Sequence, residues 1–569
     1  MIGCDYNPRN KKFVITCPFH LNHLIQGLPN KRWQKTSRVW HAPVLSRNAE
    51  FLMDHKNAQH IQMTPMALEA AQEALARISI TYEPFPLDHP WVTQPMSQQR
   101  RALDHAWGLE ACAFFMEMGT GKTKTAIDWA EASLNANRFS IVVVFCPNAV
   151  GQTWVNEWKK HGCEFRTFLC STENVKSKTF QRDLYNHSGP VALIVGAESI
   201  QHKEGGGAAY DAVLEYVGHM LGKGFKYGMV ADESHLYKNH DANRSKNVKT
   251  VAQGAVRRLI MTGTPLAHGP LDLFMQYEIL DPNIIGIGDY YSYKARYAVM
   301  GGYEDKGVVG YQNLDELMAL VKPYTFQCTK EEVLDLPPKA YQVRYVNLTP
   351  EQEKLYKTLT KTKEAEIRGA SGQAIDIQVN MVLELNLLQQ QIVGGFISYR
   401  EEDGKFRKVE QLIEGKRNPK IREILAIAEE NPGRQMIVWA KFRREISDIV
   451  AALTEAGYSC SEYHGGLTPE ERETQLQAFK GGKTQFFVSN TQTGGTGITI
   501  NEAKTTIYYS NSFKLIDRLQ SEDRNHRIGQ DDHVLYIDLV AKGTVDETVS
   551  KALAEKKDMA TFVRESMAR

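Results

Sequence analysis

The chain has 569 residues, 42% of them hydrophobic and 24% charged, with 68 Lys+Arg against 67 Asp+Glu and a formal net charge of +1. At about 150 residues per domain, that length predicts three or four domains of ordinary globular composition. No run of 18 apolar residues occurs, so no helix of the sequence spans a membrane. The opening stretch is too polar for a secretory signal. Eight scattered cysteines without a Cys-x-x-Cys pair point to reduced thiols, not to a disulfide framework or a zinc ribbon.

Near-neutral total charge argues against a polyanionic partner until the charge is located. Residues 1–62 hold nine Lys/Arg against three Asp/Glu, which is +6, and the other 507 residues carry −5. Such asymmetry hints at a nucleic-acid-facing module on a balanced body. Within it, Lys12–Thr16 reads as a strand and Leu21–Leu28 as a helix. The run Lys31–Trp40 then interleaves Trp33 and Trp40 with Lys31, Arg32, Lys35 and Arg38. Cations neutralise phosphates and an exposed indole stacks on an unpaired base, while one of the two tryptophans is expected in the small domain's core. Cys17, His20 and His23 lack a fourth ligand nearby, a poor zinc site. Residues 63–87 read as a helical connector ending near Pro84 and Pro86.

Over 88–282, apolar runs at Ala113–Phe115, Ile141–Phe145, Val191–Val195, Met229–Ala231 and Leu259–Met261 alternate with helical patterns. That alternation predicts a parallel α/β sheet. A second set follows at Met436–Trp439, Ser459–His464, Gln485–Ser489, Thr505–Tyr509 and His533–Leu539, and the segment 283–415 between them reads as largely helical. The fold class is therefore α/β, with two parallel-sheet lobes and a small α+β N-terminal domain.

After the first strand, Glu117-Met118-Gly119-Thr120-Gly121-Lys122-Thr123 opens a helix. Glycines there let backbone N–H groups approach phosphate, Lys122 reaches the β/γ-phosphates of ATP, and Thr123 is a ligand for Mg²⁺. Met116 stands where this type of loop usually has its first glycine. Asp232 and Glu233 end an apolar strand: Asp232 would hold Mg²⁺ directly or through water, and Glu233 would orient and deprotonate the attacking water. Upstream, Gln99 fits the spacing of an adenine contact best, with Gln98 the other candidate.

Asp232-Glu-Ser-His-Leu-Tyr-Lys-Asn239, Met261-Thr-Gly-Thr-Pro-Leu266, Cys146-Pro147 with Trp154 and Glu157, and Thr329–Lys339 resemble the SNF2 family of superfamily 2 helicase-like motors. The resemblance implies two RecA-like lobes. It also implies that Thr264 lies in the segment coupling nucleotide to DNA and that Pro147 lies along the DNA track. Cys328 stands where the family more often has a basic residue. Farther on, Ser489–Ile498 is similar to the family's Gly-rich motif, which implies a DNA phosphate grip at Thr491 and Gly494 and a ribose contact at Gly497. Gln520–Gln530 is similar to its arginine-finger motif, which implies ATP-site roles for Gln520, Arg524 and Arg527. Spaced three apart, the two arginines would share one helical face, and guanidinium groups suit the charge of phosphoryl transfer. The N-terminal segment resembles the HARP-type domain of annealing helicases, with Arg32, Trp33, Lys35, Arg38 and Trp40 as DNA contacts.

The domain expectation is thus a HARP-like module at 1–62, the connector at 63–87, lobe 1 at 88–282, a helical protrusion at 283–345, a helical insertion at 346–415 and lobe 2 at 416–569. The function implied is an ATP- and Mg²⁺-dependent translocase on double-stranded or branched DNA, acting as a monomer in the cytoplasm or nucleoid of a bacterial or phage-infected cell. It needs neither membrane nor zinc, and nuclease or recombination proteins are candidate partners. A motor subunit of a restriction or defence complex and an ATP-gated DNA clamp are the alternatives.

Overall fold

Strands that are apolar at every position, such as Ile141–Cys146 (IVVVFC) and Val191–Gly196 (VALIVG), are buried along nearly their whole length. Burial on both faces is what a parallel sheet sandwiched by helices imposes. In the computed structural model, the described residues are 1–54, 59–76, 83–201, 207–266, 269–301, 307–333, 336–362, 364–368, 374–378, 382–400, 407–494, 498–527, 530 and 532–568. They divide into two units, 1–333 with 559–569, and 334–558.

The first unit holds a seven-stranded sheet, every neighbouring pair parallel, in the order Thr325–Cys328, Ala111–Met116, Arg257–Met261, Tyr227–Asp232, Ile141–Cys146, Val191–Gly196, Arg166–Cys170. The five strands expected from apolar runs are its centre. Its two outer strands escaped notice because edge strands need less apolar character: Arg166-Thr-Phe-Leu-Cys170 and Thr325-Phe-Gln-Cys328 mix polar and apolar residues. The second unit has a six-stranded, all-parallel sheet, ordered Lys339–Val346, Val534–Ala541, Thr505–Tyr508, Met436–Trp439, Phe486–Ser489, Cys460–Tyr463. Met436 and Val438 pack into one apolar cluster and Ile437 and Trp439 into another, as the two-residue period of a strand requires.

Three expected boundaries change. The segment 283–345 is not one protrusion: Thr325–Cys328 pairs with Ala111–Met116 in the first sheet, and Lys339–Val346 pairs with Val534–Ala541 in the second. The region 283–415 is less helical than expected, with antiparallel strand pairs Ala298–Gly301 with Gly307–Tyr311, Glu364–Arg368 with Ala374–Gln378, and Phe396–Arg400 with Arg407–Gln411. Residues 63–87 are not simply a connector. Helix Pro65–Ala76 buries Ala67, Ala70, Ala71 and Ala74 against the N-terminal sheet, and strand Ile61–Met63 pairs parallel to Ile2–Asn7. Small side chains at spacings of three and four let this helix approach closely, which a polarity reading mistakes for a solvated linker.

That N-terminal sheet is five-stranded, ordered Arg32–Gln34, Val39–Pro43, Lys12–Thr16, Ile2–Asn7, Ile61–Met63. The helix expected over Leu21–Leu28 is a 3-10 segment, Phe19–Ile25. The module is tied to the rest of the first unit through helix Ser46–Met53: the Ser46 hydroxyl donates to the Asn283 carbonyl at 2.6 Å, and Arg47 donates to the Tyr297 hydroxyl at 3.2 Å and to Glu316 at 2.5 Å. Replacing Ala71, which is fully buried, by Leu overfills this small core and should cost ~1–3 kcal/mol, read as a lower denaturant midpoint for the N-terminal module. A free connector helix would accept Leu without loss.

Candidate active site

Four adjacent strands of the first sheet end together. Asp232 pairs with Met261, Met261 with Phe114, and Ala231 with Phe145, so the carboxyl ends of Tyr227–Asp232, Arg257–Met261, Ala111–Met116 and Ile141–Cys146 share one edge. The segments that leave this edge are 117–121, 233–237, 262–265 and 147–150: the first leads into Lys122 and Thr123, the others carry Glu233, Thr264 and Pro147, and Asp232 is the last residue of its strand. Crevices at the carboxyl ends of parallel strands are where such sheets bind ligands.

The loop 117–121 turns through Gly119 (φ +84°) and Gly121 (φ +92°), both left-handed. At Gly121, the N-cap of helix Lys122–Asn135, a Cβ would lie 2.2 Å from Gln99 Nε2, so a side chain there would displace the glutamine and strain a left-handed backbone. Thr120 is buried and its hydroxyl donates to the Glu117 carbonyl at 2.7 Å. Lys122 Nζ donates to the carbonyls of Met116 at 2.9 Å and Glu117 at 3.2 Å, so the ammonium is folded onto its own loop.

The amides of both candidate glutamines are engaged by the loop and its flank. Gln99 accepts from the Met96 N–H at 2.8 Å and donates to the Gly121 carbonyl at 3.1 Å, while Gln98 donates to the Thr120 carbonyl at 3.3 Å. Each is only 1% exposed. Both sit in the first turn of helix Ser97–Trp107, which packs on helix Lys122–Asn135, and from there their amides brace the loop's backbone.

Asp232 is held by both oxygens: Trp154 Nε1 donates to Oδ2 and the Glu233 backbone N–H to Oδ1, each at 2.9 Å. Glu233 takes the left-handed conformation (φ +47°), uncommon for a side-chain-bearing residue and a frequent mark of functional sites. Its Oε2 accepts from the Thr262 hydroxyl at 3.2 Å and lies 3.2 Å from His235 Nδ1, which is 2.9 Å from the same hydroxyl. The Thr264 N–H returns to Thr262 Oγ1 at 3.1 Å. Burial raises Asp232 above the ordinary carboxylate range and the neighbouring Glu233 charge adds to this. For Glu233, burial pushes upward but is outweighed by the bond and charge of His235, then by Lys122, so it is held below its ordinary value. A Cβ on Gly263 would lie 3.1 Å from the Met118 N, which shows how closely the Thr262–Pro265 segment approaches the phosphate loop.

These donors fit magnesium. Among the described residues, no group of three His, Cys, Asp or Glu could hold a metal by itself. Mg²⁺ does not need one, because it takes one or two protein oxygens and completes its shell with water and substrate phosphate. Asp232 keeps lone pairs on both clamped oxygens, and Thr123 offers a hydroxyl from the first turn of helix Lys122–Asn135.

The residues expected to face DNA lie apart from this edge or beside it. Pro147 caps the short helix Asn148–Val150 at the end of strand Ile141–Cys146. Arg32, Trp33, Lys35 and Arg38 are exposed on the outer hairpin of the N-terminal sheet, a different sheet from the one bearing the loop. Trp33 is 42% exposed, its ring 5.2 Å from Trp40, while Trp40 packs on the module's core and donates to Asn22 at 3.2 Å.

In the second unit, Thr491 opens the short helix Thr491–Gly494, and Gly494 is pressed against Trp439: a Cβ there would lie 2.6 Å from the indole. Gly497 lies outside the described residues. The shared helical face expected for Arg524 and Arg527 is absent, because helix Leu515–Glu522 ends before them. The Tyr536 hydroxyl donates to the Glu522 carbonyl at 3.0 Å, and the Asn525 amide donates inward to the Thr506 hydroxyl at 2.9 Å. Arg524 is 4% exposed and donates to the carbonyls of Gln520 at 2.8 Å and Ile498 at 2.9 Å. Arg527 is half-buried and donates to the Thr499 hydroxyl at 2.7 Å.

Two contacts were not foreseen: the indole of Trp154 on Asp232, and the Glu117 carboxylate accepting the Lys330 N–H at 3.0 Å. Trp154 was visible only as a motif residue, since nothing in spacing says where an indole N–H points. Substitution separates the two arginines. Arg524→Ala leaves buried carbonyls without their donor and should lower stability by about 3 kcal/mol, whereas Arg527→Ala should stay within about 1 kcal/mol, both read from thermal unfolding.

Comparison with known families gives two matches along the chain. Residues 50–394 match the SNF2-related domain and residues 416–529 the helicase conserved C-terminal domain. Similar curated proteins include the mouse (Mus musculus) chromodomain-helicase-DNA-binding protein 1-like, 24% identical over 80% of this chain and 48% of its own length. An uncharacterized ATP-dependent helicase of Mycoplasma pneumoniae is 23% identical over 83% of this chain and 42% of its own. The chain thus spans less than half the length of these relatives. Among solved structures, the Sulfolobus solfataricus SWI2/SNF2 ATPase core in complex with dsDNA is 20% identical and covers 85% of this chain and 97% of its own, with a TM-score of 0.37. The SNF2-related model spans more than half of the chain and is followed in order by the helicase C-terminal domain, so this protein belongs to the SNF2 family.

Proposed function

We propose that this chain is a DNA-stimulated ATPase that moves on or remodels double-stranded DNA, with a preference for branched or fork-like substrates. The observation that carries the reading is one sheet edge bearing a glycine-turned phosphate loop, a doubly clamped Asp232 and a Glu233 held 3.2 Å from His235 and from the Thr262 hydroxyl. Backbone N–H groups of the loop and Lys122, once it leaves its carbonyls, bind the β/γ-phosphates of ATP. Mg²⁺ held through Thr123 and Asp232 supplies neutralisation of phosphate charge. Glu233 orients the attacking water and takes its proton, and Arg527 is the second-lobe cation assigned to the charge that develops during transfer. Thr262 contacts Glu233 and, through the Thr264 N–H, the segment assigned to DNA, which offers a short route from the strand contact to the base.

The branched-DNA preference rests on the N-terminal module. Arg32, Trp33 and Lys35 stand exposed on an edge hairpin, the chemistry of cations for phosphate beside an indole for an unpaired base. A cytoplasmic, nucleoid-associated setting and monomeric action on DNA go with this reading.

In the purified full chain, ATP hydrolysis should rise on addition of duplex DNA. Glu233→Gln should bind ATP yet hydrolyse it ~10²–10⁴-fold more slowly. An unmutated chain that hydrolyses no ATP with any DNA overturns the reading. Replacing Arg32, Trp33 and Lys35 together by Ala should abolish the difference between fork and blunt duplex in stimulating the ATPase, with the unstimulated rate unchanged. A retained fork preference would remove the N-terminal module from substrate recognition.

A further inference from the structure

Helix Gly151–His161 follows directly on the Pro147 segment and buries two tryptophans one turn apart, Trp154 and Trp158, with ring centroids 6.2 Å apart. Their indole N–H groups run to two different carboxylates, one at the sheet edge that bears the phosphate loop and one well along the helix that follows that loop. Trp158 Nε1 donates to Glu131 Oε1 at 2.9 Å, and Glu131 belongs to the helix that starts at Lys122. Trp154 Nε1 donates to Asp232 Oδ2 at 2.9 Å. Trp154 is 1% exposed and Asp232 7%, so the bond is shielded from bulk water. The other oxygen, Oδ1, accepts the Glu233 N–H at 2.9 Å, which leaves the carboxylate no freedom to rotate.

We infer that Trp154 is a positioning residue for the metal carboxylate: its indole N–H fixes the rotation of Asp232, so that the free lone pairs face the cation that accompanies the nucleotide. This rests on the reading of Asp232 as the Mg²⁺ residue. A carboxylate ligand is usually set by such outer hydrogen bonds, and removing one typically weakens metal affinity or activity ~10–100-fold. The ring itself fills space beside Trp158, and the two roles separate by substitution. Phe keeps most of the packing and removes the donor, and His at the same position restores a ring N–H.

The test uses the full chain and a fluorescent ADP analogue, whose binding is followed by anisotropy as MgCl₂ is raised. Trp154→Phe should shift the Mg²⁺ half-saturation upward ~10–100-fold while affinity for the analogue in EDTA stays unchanged. Trp154→His should recover part of that shift. Trp158→Phe, which loses the same kind of donor to a carboxylate assigned no metal, should leave the half-saturation where it was. Equal Mg²⁺ dependence in Trp154→Phe and the unmutated chain would overturn the inference, as would an equal shift in Trp158→Phe. If Trp154→Phe does not fold, a folded Trp154→His decides it: near-normal Mg²⁺ dependence supports the donor role, and a shift as large as ~100-fold removes it. Failure of the unmutated chain to bind the analogue in a Mg²⁺-dependent way would instead bring down the reading of Asp232 itself.

Discussion

The constraint on which the rest depends is the parallel register of four neighbouring strands. Adjacent strands lie about 4.8 Å apart, and their aligned ends mean that every loop leaving the carboxyl edge starts within a few ångströms of the next. The phosphate loop, the acid pair, the Thr262–Pro265 turn and Pro147 are widely separated in the chain. None of them approaches another through local structure. Only the parallel order, sealed by helices on both faces, places them at one edge.

Around that edge the structure repeats one device, a buried polar side chain whose hydrogen bonds leave it a single orientation. Gln98 and Gln99 brace the loop from beneath, Trp154 and the Glu233 N–H clamp Asp232, and His235 with Thr262 hold Glu233. Buried polar groups are costly when unpaired and rigid when paired. The second unit uses the same logic at larger scale. Glu522 takes Lys339, Tyr341 and Arg518, and Arg518 also reaches Asp538 while its guanidinium lies 3.6 Å over the Tyr508 ring. Burial would raise Glu522, but Lys339 and Arg518 outweigh it and hold the carboxyl down at about 2. That cluster joins the edge strand Lys339–Val346 to the segment containing Arg524 and Arg527.

The total charge of +1 describes no part of the molecule well. Part of the excess of cations in the first residues, Arg32, Lys35 and Arg38, lies on an exposed hairpin of a small sheet whose core needed the following helix, Pro65–Ala76, to close. Arg47, counted in the same positive sum, is spent inside the protein on Glu316 and Tyr297. A charge tally cannot separate a cation that faces a partner from one that anchors a fold.

By itself, the sequence determined the two parallel sheets, the loop chemistry at Gly119–Thr123, the acid pair and the family, because each is carried by short patterns: apolar runs, glycines with positive φ, and residue types at fixed spacing. Tertiary structure alone decided what the buried polar side chains do. Gln99 and Arg524 looked like ligand contacts by position and meet backbone carbonyls, whereas Trp154, visible only as a motif residue, meets a carboxylate. The physical reason is that burial removes water as a partner, so each such group must find one inside the fold. Which partner it finds depends on elements distant in the chain. The same holds for Arg166–Cys170, Thr325–Cys328 and Lys339–Val346, which at sheet edges need few apolar residues and become strands only because a neighbour offers its open edge.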